Sequence, residues 1–154
     1  MKMKHLTYKI LATLLLMVAF SFGKANAKQV VVPQMYMFGF AASFNDTIVY
    51  FTNVMPVDSV WIESRNKFLL GRSVYSHQLR NYLAINKKMP SRTCIILYNK
   101  DKAKLEKKLL KMKRLYMYPK KGKQQFDVRF LEDAEFRFKA VDMSEVEKVE
   151  PSGK

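Results

Sequence analysis

Residues 34–43 and 47–52, which read QMYMFGFAAS and TIVYFT, carry the strongest structural signal in the chain. Both runs are rich in aromatic and β-branched residues, and Asn45 and Asp46 lie between them. Because Asn and Asp tolerate the left-handed backbone conformation of tight turns, the pattern predicts a β-hairpin. Gly39 in the first strand indicates either a bulge or a close backbone approach.

Two helices are predicted further along the chain. Apolar residues at helical spacing predict a first helix over residues 74–85, with Ser73 as its N-cap. A second helix is predicted over residues 102–116, because Asp101 can cap it and apolar residues recur at i, i+4, i+7 and i+11 from Leu105.

Four further strands are predicted from apolar runs and from alternation of apolar and charged residues. The last two would form a second hairpin with one solvated face, turning at residues 132–134. The predicted strands are residues 57–62, 92–98, 126–131 and 135–140.

This order of elements predicts one α+β domain over residues 28–141. We expect a twisted, mainly antiparallel sheet of five to six strands with both helices packed on one face. Residues 142–154, which include Glu145, Glu147 and Glu150, are expected to form a flexible acidic tail.

The first 27 residues predict a secretory signal peptide. Three lysines precede a largely apolar run at residues 10–22, and Ala-Asn-Ala at residues 25–27 matches an A-x-A cleavage site. The run would span only about 20 Å as a helix, less than the ~30 Å hydrocarbon core, so cleavage is favoured over a permanent anchor. No later stretch is long or apolar enough to span a membrane. We therefore expect residues 28–154 to be exported, to the periplasm or outside the cell.

The residue content excludes several classes of site. No Walker loop, GxGxxG, HExxH, CxxC or GxSxG motif occurs, and the single cysteine, Cys94, precludes an intrachain disulfide. Cys94 is interpreted as a small buried hydrophobic residue, with intermolecular pairing or a reactive thiol as the alternatives. Met35 and Met37 share a strand face but are interpreted as core, because no His or Cys cluster accompanies them. No metal ion or cofactor is predicted.

Positive charge is the most informative functional feature. The formal net charge is +15, and residues 28–154 keep +11 because the signal peptide contains four lysines and no acid. Residues 100–123 contain 11 basic and two acidic residues. If the second helix reaches back to Lys100, five cations form one ridge opposite its apolar stripe. Together with the following loop, they make up the predicted anion-binding residues: Lys100, Lys104, Lys107, Lys111, Arg114, Lys120, Lys121 and Lys123.

Such a ridge can bind an anionic membrane surface, an anionic glycan or an acidic protein. Lysines outnumber arginine ten to one in residues 100–123, and lysine lacks the bidentate fork of arginine. The pattern therefore argues against specific nucleic-acid binding, as does the lack of aromatic residues interleaved with the ridge of the helix. The alternative is a solvated lysine-rich surface over which the acidic tail folds.

Candidates for catalysis are few. The mature chain contains one histidine, His77, expected on the solvent side of the first helix, and no spacing brings it to Asp58 or Cys94. A non-catalytic exported binding protein is therefore the leading hypothesis. The alternative is a hydrolase or transferase of envelope material with a loop-built site around Asp58 and His77. A third hypothesis is a structural subunit whose hairpin edge at residues 36–51 pairs with another chain.

Five short motifs follow the secretory signal: FGF at 38–40, TIVYF at 47–51, YSHQLR at 75–80, RTC at 92–94 and KMKR at 111–114. Together they resemble small exported proteins of gut Bacteroidota that carry no assigned function. The resemblance spans most of the mature chain. It implies a bacterial, periplasmic protein and brings no catalytic residue with it.

Overall fold

The structure, a computed structural model, describes residues 28–144. The predicted signal peptide and residues 145–154 of the predicted tail lie outside the described residues. The described chain forms one α+β domain with two helices and a five-stranded, mostly antiparallel open sheet, as predicted. In chain order, the elements are β1 (Gln29–Ala42), β2 (Ile48–Thr52), β3 (Met55–Glu63), α1 (Arg72–Asn86), β4 (Thr93–Asn99), α2 (Lys102–Met117) and β5 (Asp127–Leu131).

The long strand β1 lies in the middle of the sheet. β4 pairs antiparallel with one edge of β1, and β2 and β3 pair antiparallel with the other. β5 pairs in parallel with the outer edge of β2. The predicted hairpin is present, but its strand edges are occupied by other strands of the same chain. The hypothesis that the edge at residues 36–51 pairs with another chain is therefore wrong.

Each face of the sheet is covered by a different helix. On β1, Met37 and Ala41 belong to the core cluster of α1, whereas Phe38 and Phe40 belong to the core cluster of α2. The prediction that both helices pack on one face is therefore wrong. The connection β3–α1–β4 crosses the sheet in one direction, and β4–α2–β5 crosses back. Crossovers between strands of the same direction are almost always right-handed, so opposite crossing directions put the helices on opposite faces.

Residues 135–140 do not form the predicted second strand of a closing hairpin. Phe136 and Phe138 instead pack into the core cluster of α1. The side-chain amide of Gln78 takes the place of a neighbouring strand, because its nitrogen donates to the carbonyl oxygen of Lys139 at 2.9 Å and its oxygen accepts from the Lys139 N–H at 2.8 Å. The alternation of apolar and charged residues over 135–140 therefore marks an extended segment with one buried face, and not a strand of the sheet. We call residues 135–144 the strap.

The helix ends follow local capping chemistry. Asp101 caps α2 as predicted, since its carboxylate accepts a hydrogen bond from the backbone N–H of Lys104 at 3.1 Å. α1 begins after Gly71, whose φ is 64°, so the prediction of Ser73 as N-cap is wrong. A left-handed glycine turns the chain into α1 without a side-chain cap.

Gly39 lies where α1 and the strap press against β1. The pairs Phe40–Phe51 and Met37–Met55 leave three residues opposite two of β1, so the facing edge bulges beside Gly39. A Cβ on Gly39 would lie 2.5 Å from the Cδ2 of Leu79 and 3.2 Å from a ring carbon of Phe138. The extra residue of the bulge therefore lies on the facing strand and not in β1, where the sequence had placed it. The close approach is made by side chains instead of backbone.

This crowding predicts a cost for any larger side chain. We expect Gly39→Val to lower the free energy of unfolding by about 2 kcal/mol, because Leu79 is fully buried and can move only by disturbing its neighbours. Denaturant unfolding of the variant measures this loss, and Gly39→Ala is the graded control with a smaller expected loss. A valine variant as stable as the parent would contradict the close packing of α1 on β1.

Candidate anion-binding surface

α2 has one buried side and one solvent side because its apolar residues recur along a single stripe. Leu105 and Leu109 are buried against the sheet, and Met112 and Tyr116 pack beside them, half-buried. The solvent side carries four of the predicted site residues, all exposed: Lys104, Lys107, Lys111 and Arg114.

Acidic residues neutralise only the N-terminal part of α2. The Nζ of Lys104 lies 3.6 Å from the carboxylate of Asp101, and the backbone hydrogen bond from Lys104 is the main reason that the pKa of Asp101 is lowered. Glu106 pairs with Lys102 at 3.6 Å. Three ridge cations have no ion pair within residues 28–144, and we call them the basic face: Lys107, Lys111 and Arg114.

The other predicted site residues lie outside α2. Lys120, Lys121 and Lys123 are exposed in the loop that follows the helix. Lys100 precedes the cap residue Asp101, so the expectation that it belongs to the helical ridge is wrong. It borders a separate depression with Met35 and other residues. Met35 packs in the core cluster of α1, so this depression lies at the other face of the sheet.

Apolar side chains are exposed beside the basic face. Leu110 and Leu115 are 55% and 63% exposed, and both line one shallow depression together with all three cations of the basic face. Met117 and Tyr118, at the C-terminal end of α2, are 42% and 74% exposed. Sequence reasoning missed these four residues because it followed only the buried stripe. The sequence could have indicated their exposure, because helical spacing places Leu110 and Leu115 outside that stripe.

One more cation of α2 serves packing. The Nζ of Lys113 lies 4.2 Å from the ring centroid of Phe130 on β5, and partial burial lowers the pKa of its ammonium group. A cation over an aromatic face is attracted by the ring quadrupole. Lys113 therefore helps to hold α2 against β5.

The structure does not join the candidate catalytic residues. His77 is exposed on α1, and Asp58 accepts a hydrogen bond from the side chain of Gln34 at 3.1 Å. Among the described residues, no hydrogen bond links His77 with Asp58 or Cys94. Cys94 is buried, and burial raises the pKa of its thiol to about 11, so the thiolate needed for nucleophilic reaction is disfavoured.

Two further properties concern residues 28–144 alone. No group of three or more His, Cys, Asp or Glu side chains there is arranged to hold a metal ion. Neither helix in this part of the chain is long and apolar enough to cross a membrane.

Comparisons of the chain with protein-family models, with curated proteins and with solved structures found no match.

Proposed function

We propose that this chain is a non-catalytic exported protein that binds an anionic surface or partner through α2. The observation that supports the proposal is the basic face, in which three cations on one exposed side have no acidic partner among the described residues. Like charges at helical spacing repel one another, and an ordinary solvated helix mixes both signs. A bound anion would relieve that repulsion.

The loop after α2 extends the positive surface. Lys120, Lys121 and Lys123 are exposed beyond the C-terminus of the helix, where the helix dipole also favours cations. Lysine ammonium groups act as separate point charges, which suits an extended polyanion better than one tightly held phosphate. The signal peptide predicted at residues 1–27, and the resemblance to exported bacterial proteins, would place this surface in the cell envelope.

Charge reversal tests the proposal. We expect the triple variant Lys107→Glu, Lys111→Glu, Arg114→Glu to bind heparin, used as a soluble polyanion, at least about tenfold more weakly than the parent. Binding is measured by titration at about 0.15 M salt and at lower salt, with residues 28–154, which contain every described element. The variant should also lose most of the salt dependence of binding.

A second triple variant is the matched control. Arg65→Glu, Arg72→Glu and Arg80→Glu change the net charge by the same amount at exposed positions outside α2. This control should keep most of the affinity. Equal losses in both variants would mean that total charge alone attracts the anion, and the proposal would fail. It would also fail if the α2 variant kept its affinity and salt dependence.

A further inference from the structure

We infer that the anionic partner of α2 is a phospholipid bilayer, contacted by the C-terminal half of the helix. This inference rests on the proposed function and names the partner of the same site. The observation that supports this inference is the exposed apolar side chains beside the basic face, because a site for a soluble polyanion does not need them.

The charged and apolar residues of α2 divide along its length. The acids Asp101 and Glu106 lie at the N-terminal end, where each pairs with a lysine. All four strongly exposed apolar residues follow the last acid of the helix, Glu106, as do the three cations of the basic face: Leu110, Leu115, Met117 and Tyr118. The part of the helix after Glu106 therefore presents both positive charge and apolar surface.

The apolar residues surround the cations instead of forming a separate patch. At about 100° per residue, Leu110 and Leu115 lie on either side of the basic face. The depression shared by both leucines and the three cations confirms that these side chains meet at one surface. A partner that covers the cations must therefore also cover the leucines.

A bilayer matches both kinds of side chain. Headgroup phosphates can pair with the cations, while the leucines enter the boundary with the acyl chains and the tyrosine ring sits at headgroup level. Lysine and arginine stems can lie along the apolar side chains while their charged ends stay in the headgroup layer. A soluble acidic glycan could pair with the same cations, but it has no apolar phase to receive the leucines.

The loop lysines fit the same orientation. Lys120, Lys121 and Lys123 follow the C-terminal end of α2 directly, so a helix with this end on the membrane brings them to the same surface. Clusters of basic residues next to an inserted apolar segment strengthen attachment to anionic lipids. We expect a shallow, reversible attachment.

The test separates the apolar contribution from the charge. We expect the double variant Leu110→Ser, Leu115→Ser to bind vesicles of phosphatidylglycerol and phosphatidylcholine at least about tenfold more weakly than the parent in sedimentation. Its affinity for heparin should stay within about twofold of the parent. Val74→Ser, Ile85→Ser is the matched control, because these residues of α1 are 42% and 66% exposed and lie away from the basic face.

Each other outcome has a definite meaning. If the leucine variant binds vesicles as the parent does, while charge reversal abolishes binding, the lipid inference is overturned and the proposed function stands. An equal loss of heparin and vesicle binding in the leucine variant also overturns it, because the leucines would then act through the fold. Binding of heparin without binding of vesicles assigns the surface to a soluble polyanion. If charge reversal changes neither, the proposed function and the lipid inference both fall.

Discussion

Arg92→Met is expected to lower the free energy of unfolding by about 3 kcal/mol. The Arg92 side chain is 1% exposed, and its guanidinium donates to the carboxylate of Asp46 at 2.7 Å and to the carbonyl oxygen of Ile48. It also lies 5.7 Å from the ring centroid of Tyr50. Methionine fills part of the space but leaves the carbonyl and the carboxylate without their donor. Denaturant unfolding at neutral pH measures the loss.

An exposed arginine beside the same tyrosine provides the control. Arg129 lies 5.9 Å from the Tyr50 centroid and pairs with Asp127 at 2.6 Å, but its side chain is 43% exposed. Arg129→Met should therefore cost no more than about 1 kcal/mol, since water screens exposed ion pairs. Equal losses at the two sites would show that the burial of Arg92 does not determine its contribution to the free energy of unfolding.

Phe138→Ala is expected to lower the free energy of unfolding by about 3 to 4 kcal/mol. Phe138 belongs to the strap, and its buried ring meets Phe136 edge-on at 4.9 Å and Tyr75 at 6.2 Å between centroids. Alanine would leave a cavity between β1 and α1. Thermal or denaturant unfolding measures the change.

The neighbouring residue tests whether the loss comes from packing. Lys139 has an exposed side chain, and only its backbone bonds to Gln78. Lys139→Ala should therefore change the free energy of unfolding by less than about 0.5 kcal/mol. If Phe138→Ala costs as little as Lys139→Ala, the strap is not packed on α1 as described.

Elements defined by local patterns were predictable from the sequence. Both helices were predicted to within two residues at each end, because their apolar stripes are regular and Asp101 provides a cap for α2. Strands β2 to β5 also lie close to their predicted positions. In each case the signal lies within the element itself.

Features that depend on distant partners were not predictable. The alternation around Phe136 and Phe138 is the same whether the buried face meets a strand or a helix, and the true partner, Gln78, lies 61 residues from Lys139. The placement of the helices on opposite faces depends on strand order, which the sequence does not reveal. The parallel pairing of β5 with β2 also depends on strand order and was not predictable for the same reason.

The residues of the candidate site were likewise predictable only in part. The cations of the basic face could be predicted because their spacing is a local property of α2. Leu110 and Leu115 were overlooked because only the buried stripe was followed, although their spacing places both leucines outside it. Lys100 was misplaced because the position of the cap, one residue later, decides where the helix starts.

The central position of β1 has a consequence for the order in which the chain can fold as it emerges from its N-terminus. Phe40 of β1 finds its β2 partner Phe51 soon after it, but its β4 partner Ile95 comes only after β3 and α1. β5 comes later still. A chain that emerges from its N-terminus must therefore keep an aromatic strand half-paired until more than half of the domain has appeared. That interval is when self-association would compete most strongly with folding.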